Sequence, residues 1–283
     1  MSRNLARKTS SILPILVAMS MGGCGGSDDA ASLSAPIGAI AGVWQITESS
    51  VTGTCGDPLN PPYNAVIAQN GNTINAVVDG DTFLAGTISA GAFSLSGTNF
   101  DLFAGATVTA NASGTVAASC NSITGGTINY TAAPLLGGAS CTGAVVFTAT
   151  RTLGSGCAGT LTQTAVAETS AANNTRLTAQ AVTTIPARIS GAHSSGTDDD
   201  FYGFTLSAST PVTIMLTGPA ASLTSIQELD LALYDNTTGA LIATSANLFS
   251  NEAIAQTLLA GSYAVWVEPV SITGTPAYTL VIQ

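Results

Sequence analysis

The chain has 283 residues, only 8% of them charged, and its formal net charge is −10 at pH 7. This length allows two ordinary domains, each with its own core. Lys and Arg together number six, so no basic surface can replace phosphate counterions, and nucleic acid is excluded as a partner. Because helix formers such as Lys, Glu and Arg are scarce, the composition favours strands and predicts an all-β fold.

The first 23 residues have the order of a secretory signal. Arg3, Arg7 and Lys8 precede an apolar run that is too short to span a bilayer as a stable helix. If this segment is removed, three arginines remain against 16 acidic residues. The mature surface is therefore expected to be strongly anionic.

The end of the signal, Met21-Gly22-Gly23-Cys24, resembles the lipobox of bacterial lipoproteins. The resemblance implies that 1–23 is a lipoprotein signal peptide and that lipidated Cys24 anchors the protein to a membrane. Gly25 follows the cysteine, which in that family implies the bacterial outer membrane, with the protein facing the periplasm or the cell surface. An ordinary signal with an incidental cysteine is the alternative. Residues 24–40, rich in Gly, Ser, Ala and Asp, suit a flexible tether.

Residues 41–151 contain short strand-like segments about every ten residues. Gly-rich turns divide them, and Asn70-Gly71 and Asp79-Gly80 are the strongest hairpin signals because such turns need positive φ. The spacing predicts an antiparallel meander of eight or nine strands, which hides its edges best by closing into a barrel. The segments read VWQIT, NAVIAQ, TINAVV, FLAGTIS, AFSLSG, ATVTA, GTVAAS, GTINYT and GAVVFTATR.

Four cysteines remain if Cys24 is lipidated, and an even number in an exported chain indicates two disulfides. In an up-and-down barrel the end of the first strand lies beside the start of the last. Cys55 follows the first strand and Cys141 opens the last, so we expect these two to pair, leaving Cys120 with Cys157. No CxxC pair is present, so a zinc site is not expected.

The same geometry brings Trp44 to Arg151, the only basic residue of the segment. Their contact is expected to close the barrel and to contribute about 0.5 to 2 kcal/mol. Gly42-Val43-Trp44 at the start, with an arginine at the end, resembles the calycin group of lipocalin-like and avidin-like barrels. That resemblance implies a small apolar ligand inside the barrel. The phenylalanines of the segment would line such a cavity or fill it.

Residues 152–167 are rich in Gly, Ser and Thr and are predicted to be a linker. The following region, 168–283, shows strong period-two alternation, as half-buried strands require. It predicts a C-terminal β-sandwich of jelly-roll type after the lipocalin-like barrel. The alternating segments are FYGFTL, PVTIML, LDLALYD, ALIATSA, AIAQTLL, SYAVWVEP and AYTLVIQ.

Five stretches of this region, in order, resemble the bacterial pre-peptidase C-terminal domain: Glu168 with Asn173-Asn174, DDDFYGF from Asp198, LDLALYD from Leu229, Glu252-Ala253-Ile254 and AGSYAVWV from Ala260. In that family the domain accompanies secreted peptidases and is not itself catalytic. Its relatives include the calcium-stabilised collagen-binding domains of clostridial collagenases. The resemblance therefore implies adhesion or substrate targeting.

The aspartate run raises the question of a metal. Alternate residues of an extended segment point to the same side, so Asp198 and Asp200 can share a hard cation. They match the paired aspartates that bind calcium in the collagen-binding relatives, and Glu168 and Asn173 are the further candidate ligands. Where the relatives have a glutamate, this chain has Ala171. The competing interpretation is an exposed acidic turn that keeps an edge strand soluble.

No catalytic site is expected. His193 is the only histidine, lies in a Gly- and Ser-rich loop and is expected to be exposed, and neither a G-x-S-x-G elbow nor an HExxH motif is present. Trp266 alternates with Val265 and Val267, so it faces the other side of its strand. It is either an exposed platform for a sugar or peptide or partly buried.

These patterns predict a non-catalytic envelope lipoprotein whose sandwich binds an extracellular polymer or a partner protein. Two alternatives stay open: a lipocalin-like carrier of a small apolar ligand, and a purely structural envelope protein. Calcium is the one cofactor for which the sequence offers candidate ligands.

Overall fold

A computed structural model describes residues 39–80, 82–101, 105–154, 157, 161–169, 173–219 and 227–283. The expected signal peptide, Cys24, residues 24–38 of the tether and Ala171 lie outside these residues, so those predictions stay predictions. Ala39 and Ile40, at the end of the predicted tether, are buried, so the flexible tether was predicted two residues too long. Contacts place the described residues in one compact unit, Ser34–Gln283. Within the ranges given, no helix is long and apolar enough to cross a membrane.

Eight antiparallel strands, β1 to β8, close into a barrel in chain order. Nine segments had suggested eight or nine strands, and the structure has eight because ATVTA and the start of GTVAAS form one continuous strand, β6. The Asp79-Gly80 turn has φ values of 51° and 88°, as the hairpin signal predicts. The strands are β1 Gly42–Gly53, β2 Tyr63–Asn70, β3 Thr73–Val78, β4 Thr82–Ser89, β5 Ala92–Asp101, β6 Ala106–Val116, β7 Ser122–Pro134 and β8 Cys141–Leu153.

The ends of the barrel close as the strand order requires. Trp44 pairs with Arg151 between β1 and β8, and the guanidinium lies 5.3 Å from the centre of the indole ring. The indole Nε1 donates to the carbonyl oxygen of Ile40 at 2.8 Å, and Arg151 donates to that of Ala39 at 2.6 Å. The chain entering β1 is thereby held against the end of β8.

Two disulfides brace the barrel, Cys55–Cys141 and Cys120–Cys157. These are the pairings that the strand order predicts. The first bridge joins the end of β1 to the start of β8, so it fastens the same seam that Trp44 and Arg151 close at the other end.

The barrel interior is filled by its own side chains. Trp44, Phe93 and Phe147 are buried there with aliphatic residues from all sides, and the remaining cavity measures about 40 Å³. Sites for small molecules usually measure about 300 to 1,000 Å³. The part of the interior that the described residues line therefore has no room for the small apolar ligand that the calycin resemblance implies.

The rest of the chain forms two five-stranded sheets, in the order β10-β12-β17-β14-β15 and β16-β13-β18-β11-β9. The all-β prediction, with a barrel first and a sandwich second, is confirmed. The bounds are β9 Thr164–Ala167, β10 Gln180–Ala181, β11 Ala187–Ala192, β12 Asp200–Leu206, β13 Thr210–Thr217, β14 Glu228–Asp235, β15 Leu241–Ser245, β16 Asn251–Leu258, β17 Gly261–Ser271 and β18 Ala277–Ile282, with one 3-10 turn at Arg176–Thr178.

The predicted linker 152–167 differs from the structure at both ends. β8 continues to Leu153, and residues Thr164–Ala167 form β9, which pairs in parallel with β11. β9 is an edge strand, and such strands are short and weakly patterned because only one side is paired. That is why its Thr-Ala-Val-Ala sequence did not stand out as a strand.

The sandwich core follows the period-two pattern. Inward residues such as Tyr202, Leu231 and Val265 alternate with outward ones along each strand. The outer side of the β16-β13-β18 sheet is also covered, because Met215 and Val281 pack against Ala68 and Val77 on the outer wall of the barrel. The sandwich therefore has one outer face against the barrel and one, on β12-β17-β14, turned away from it.

Candidate functional site

The three successive aspartates at the start of β12 occupy three different environments. Asp200 shares the inward side of β12 with Tyr202, so its carboxyl group is fully buried. Asp198 is also buried, with 6% of its surface exposed. Asp199 points to the outer face. The interpretation of the run as an exposed acidic turn is wrong for Asp198 and Asp200, because strand alternation carries Asp200 into the core.

Asp200 is the centre of a buried hydrogen-bond network. The Tyr278 hydroxyl donates to Asp200 Oδ2 at 2.6 Å, and the hydroxyls of Tyr278 and Tyr202 lie 2.6 Å apart. His193 Nδ1 lies 3.2 Å from the same Oδ2 and also contacts the Asp198 carbonyl oxygen. Since both neighbours are acceptors, Nδ1 carries the hydrogen.

His193 is fully buried, so its expected place in an exposed loop is wrong. The imidazole ring packs 5.1 Å from the ring of Tyr278, and the backbone N–H of His193 donates to the Pro276 carbonyl oxygen at 3.2 Å. The imidazole thus packs on the Tyr278 ring and contacts two acceptors, Asp200 Oδ2 and the Asp198 carbonyl oxygen. These contacts hold the loop against the sandwich.

Burial sets the charge of this network. It lowers the pKa of His193 and raises the pKa of Asp200. Burial, together with the nearby Asp200 and Asp198 carboxylates, raises the pKa of Glu168 to about 7. Because each shift disfavours a charged form, the contact between His193 and Asp200 is better described as a hydrogen bond than as an ion pair.

The four predicted calcium ligands do come together. The Glu168 and Asn173 side chains lie near that of Asp200, close to Asp198. We call these four residues, with His193, Tyr202 and Tyr278, the buried polar cluster.

Hydrogen bonds occupy part of the cluster's oxygens. Glu168 Oε2 accepts from the Ala192 N–H at 2.9 Å, and Asp198 Oδ2 accepts from the Ser194 N–H at 2.6 Å. In contrast, Asp200 Oδ1 and the Asn173 amide are buried without a hydrogen-bond partner. In the described part of the chain, no three His, Cys, Asp or Glu side chains are arranged to hold a metal ion. Each of these two backbone hydrogen bonds uses one carboxylate oxygen, Glu168 Oε2 or Asp198 Oδ2, so a calcium ion would be held by the other oxygen of each group.

Asp199 connects this segment to the outer face of the sheet. Its Oδ1 accepts from Trp266 Nε1 at 3.1 Å. The Trp266 ring stacks on Phe201 with centres 5.5 Å apart and planes 5° apart, and Tyr234 lies 6.5 Å from it on the other side. Small residues, Ala232 on β14 among them, occupy neighbouring outward positions. We call Phe201, Trp266 and Tyr234 the aromatic face.

Trp266 is half-buried. The sequence left open whether this residue is an exposed platform or partly buried, and the structure shows features of both. One side of the indole is supported by Phe201, and its N–H is held by Asp199. The remaining surface faces solvent. An indole fixed in this way is a flat, pre-organised contact surface, since its orientation is set before any ligand arrives.

Acidic residues border the aromatic face. Asp230 and Glu268 are directly opposite each other on β14 and β17. Burial, together with the carboxylates of Glu228 and Glu268, raises the pKa of Asp230 to about 7. Like charges placed opposite each other destabilise a strand pair. The border therefore favours an approaching cation.

Glu252 on β16 is a further buried acid, to which the sequence analysis gave no role beyond its place in the pre-peptidase resemblance. It is fully buried, and burial raises its pKa to about 8. Its carboxylate accepts from the backbone N–H of Asn247 at 2.9 Å, from Asn247 Nδ2 at 2.8 Å and from the Ser245 hydroxyl. Asn247 also donates to the Gly80 carbonyl oxygen in the barrel. The sequence did contain a signal for this burial: Glu252 lies two residues before Ile254 on the same strand, so both side chains point to the inward side.

Comparisons with known proteins add little to this picture. No family model matches the chain, and no curated protein matches it. Among solved structures, the pre-peptidase C-terminal domain of a collagenase from Bacillus anthracis matches 37% of this chain and 96% of its own, with 16% identity and a TM-score of 0.31. A β-porphyranase of glycoside hydrolase family 86 from the human gut bacterium Bacteroides plebeius matches 80% of this chain and 39% of its own, with 10% identity and a TM-score of 0.21. Neither likeness carries a functional inference at these scores.

Proposed function

We propose that the protein is a non-catalytic lipoprotein of the bacterial cell envelope whose sandwich binds an extracellular polymer or a partner protein. The observation that carries this proposal is the stacking of Trp266 on Phe201, with Asp199 holding the indole N–H. Aromatic side chains fixed on a sheet face supply large contact area at low entropic cost.

The chemistry of the aromatic face suits two kinds of group. A sugar ring or an apolar side chain can lie on the exposed side of Trp266. A cationic group can be attracted by the ring and by the opposed carboxyl groups of Asp230 and Glu268. Peptides with basic residues and polymers with exposed sugar rings both offer such groups.

The proposal that the protein is not an enzyme rests on access. His193 and Asp200, the pair that most resembles acid–base machinery, are fully buried. A general acid or base must lie within hydrogen-bond reach of its substrate, about 2.6 to 3.2 Å. These two groups reach only each other and their protein neighbours.

The envelope location is supported by two features. The two disulfides fit an oxidising compartment such as the periplasm or the cell surface. The lipobox resemblance at Cys24 supplies the anchor in the proposal. Cys24→Ser should release the protein from membranes into the soluble fraction, and continued recovery with membranes only in detergent would contradict the anchor.

Calcium is proposed as a structural ion of the buried polar cluster. Support comes from the donor types, which suit a hard cation, and from the buried oxygens of Asp200 and Asn173 that have no hydrogen-bond partner. Three acidic groups share this site, and a cation would reduce their mutual repulsion.

The test of binding is retention of the full chain on immobilised collagen, peptidoglycan and insoluble polysaccharides. We expect retention on at least one, with an approximately tenfold or greater loss in Trp266→Ala, as for an interface residue that carries much of the binding energy. Leu259→Ala, at an exposed apolar residue outside the aromatic face, is the matched control and should bind as wild type. Retention on none, or equal retention of Trp266→Ala, would overturn the proposal.

A further inference from the structure

A concave trough of about 320 Å³ lies on the outer wall of the barrel, where β6, β7, β8 and the end of β1 meet. Its position differs from that of both sites described above. The apolar contact between barrel and sandwich centres on β2 and β3, and in the closed strand order β6 and β7 lie across the barrel from these two. The trough is thus remote from the sandwich and from the aromatic face.

Strand alternation directs polar side chains into the trough. Ala110 and Ala112 of β6 are buried in the barrel, so Thr109 and Asn111 point outward. Asn111 lies directly opposite Asn129 on β7. Thr131 continues this outward row and pairs with Thr142 on β8. The trough is lined by Thr52, Gly53, Thr109, Asn111, Asn129, Tyr130, Thr131, Thr142, Gly143 and Ala144.

The lining is uncharged. Tyr130 is its one titratable residue, and burial with the neighbouring Asp57 raises the pKa of its hydroxyl to about 12, so it stays neutral. That hydroxyl donates to Asp57 rather than to the trough. Protein surfaces usually mix both signs of charge. Because only 8% of the residues are charged, this part of the barrel surface consists of neutral hydroxyl and amide groups.

The amide groups at the centre of the trough have no partners among the described residues. Neither the Asn111 nor the Asn129 side chain makes a hydrogen bond within the part of the chain that the structure describes. Nearby hydroxyls on the same wall bond to each other instead, Ser113 to Thr127 at 3.0 Å and Thr98 to Thr109 at 3.1 Å. Each asparagine therefore offers two donors and an acceptor to whatever enters.

We propose that this trough binds a neutral carbohydrate, through the paired amides of Asn111 and Asn129 and the hydroxyls of Thr131 and Thr142. Sugar hydroxyls are donors and acceptors at once, and so match a lining of amides and hydroxyls. An apolar ligand would leave those groups unpaired, which costs free energy. A polyanion gains nothing from a surface without cations and is repelled by the net negative charge of the chain.

The size of the trough agrees with this ligand. Its volume is about 320 Å³. Sites for small molecules usually measure about 300 to 1,000 Å³, so the trough is at the lower end of that range. The trough is open to solvent and its lining comes from four strands, so a polymer could contact it without having to enter a closed pocket. This inference goes beyond the proposed function, which concerns the sandwich.

The experiment is affinity electrophoresis of the full chain in gels containing a neutral glucan, a neutral galactomannan or anionic alginate. We expect at least one neutral polysaccharide to retard wild type and alginate to leave it unretarded. The double variant Asn111→Ala with Asn129→Ala should weaken that binding at least about tenfold, because two side chains each lose hydrogen bonds to the ligand. We expect the variants to fold like wild type, because both asparagine side chains are exposed. Thermal melting will check this.

Two variants separate this proposal from the other one. Thr115→Ala with Thr124→Ala changes an exposed cross-strand pair on the same two strands outside the trough, and should bind as wild type. Trp266→Ala should also keep the retardation. No retardation by either neutral polysaccharide, stronger retardation by alginate, or loss in Trp266→Ala with full binding by the asparagine variant would each overturn the proposal. The last result would assign carbohydrate binding to the aromatic face instead.

Discussion

The side-chain oxygen of Gln283 accepts a hydrogen bond from the backbone N–H of Gln69 at 3.3 Å, and this bond joins the sandwich to the barrel. The same amide group accepts from Gln163 Nε2 and donates to the carbonyl oxygen of Ile67, both at 3.2 Å. Gln163 lies in the segment that the sequence predicted to be a linker. The two halves are therefore fastened by polar contacts beside the apolar contact of Met215 and its neighbours.

Gln283→Ala should lower the free energy of unfolding by about 1 to 3 kcal/mol, because it removes three hydrogen bonds from a partly buried site. Urea denaturation measures the effect. Gln256→Ala is the matched control, since Gln256 is exposed on β16 in the sheet next to the barrel. Equal midpoints for the two variants would show that the Gln283 amide does not help to hold the halves together.

Asp199→Ala should loosen the indole of Trp266. Trp44 is fully buried in the barrel, so acrylamide quenching of the native protein reports mainly on Trp266. We expect stronger quenching in Asp199→Ala, because the indole N–H loses its acceptor. Asp199→Asn keeps an oxygen at that position and should stay close to wild type. If both variants are quenched alike, the negative charge and not the hydrogen bond orients the ring.

Stability should depend on pH through Glu252. Its pKa is raised by burial from the ordinary 4.5 to about 8, so the folded state holds a proton that the unfolded state releases between these values. This stabilisation is complete below about pH 4.5 and is lost as the pH rises through about 8. The melting temperature of wild type should therefore fall between pH 5 and pH 9. Glu252→Gln, which stays neutral, should show a smaller fall.

Asp235→Asn provides the control for that measurement. Hydrogen bonds from the backbone of Thr238 lower the pKa of Asp235, so this group stays ionised in both states across the same range. Its removal should leave the slope between pH 5 and pH 9 as in wild type. If the slope in Glu252→Gln equals that of wild type, then other acidic groups with raised pKa values, such as Glu168, cause the pH dependence of stability.

Calcium should raise the melting temperature of the full chain if the buried polar cluster holds the ion. An ion at 100 times its dissociation constant stabilises a protein by about 2.7 kcal/mol. Asp200→Asn with Asn173→Ala should greatly reduce the shift, because the first change removes the negative charge of one ligand and the second removes the other ligand. Magnesium is the control, since its strict octahedral geometry suits this irregular donor set less well. No shift at millimolar calcium would contradict the site.

The sequence predicted the strands of the sandwich well because their side chains alternate with period two. The same pattern indicates that Asp200 is buried, because Asp200 lies two residues before Tyr202 on the inward side of β12. The residues next to His193 in the sequence do not predict that it is buried. It depends on Tyr278, a residue 85 positions further along the chain on β18, and no neighbour in sequence indicates that contact.

The barrel was harder to predict because its inward residues are often small. In β6 the inward positions include Ala110 and Ala112, so the apolar side gives a weak signal, and one strand looked like two segments. Likewise, the outward Val77 and Ala68 were indistinguishable from ordinary strand residues, although they pack against the sandwich. Alternation shows that two sides differ, but only tertiary contacts show which of them meets solvent.

The packing of β2 and β3 on the sandwich makes this module one-sided. A free β-sandwich offers two outer sheets to its surroundings, but here the sheet that carries Met215 and Val281 is screened by the barrel. Any large ligand of the sandwich is thereby restricted to the sheet with Trp266. The barrel thus limits what the sandwich can bind without contributing an internal pocket.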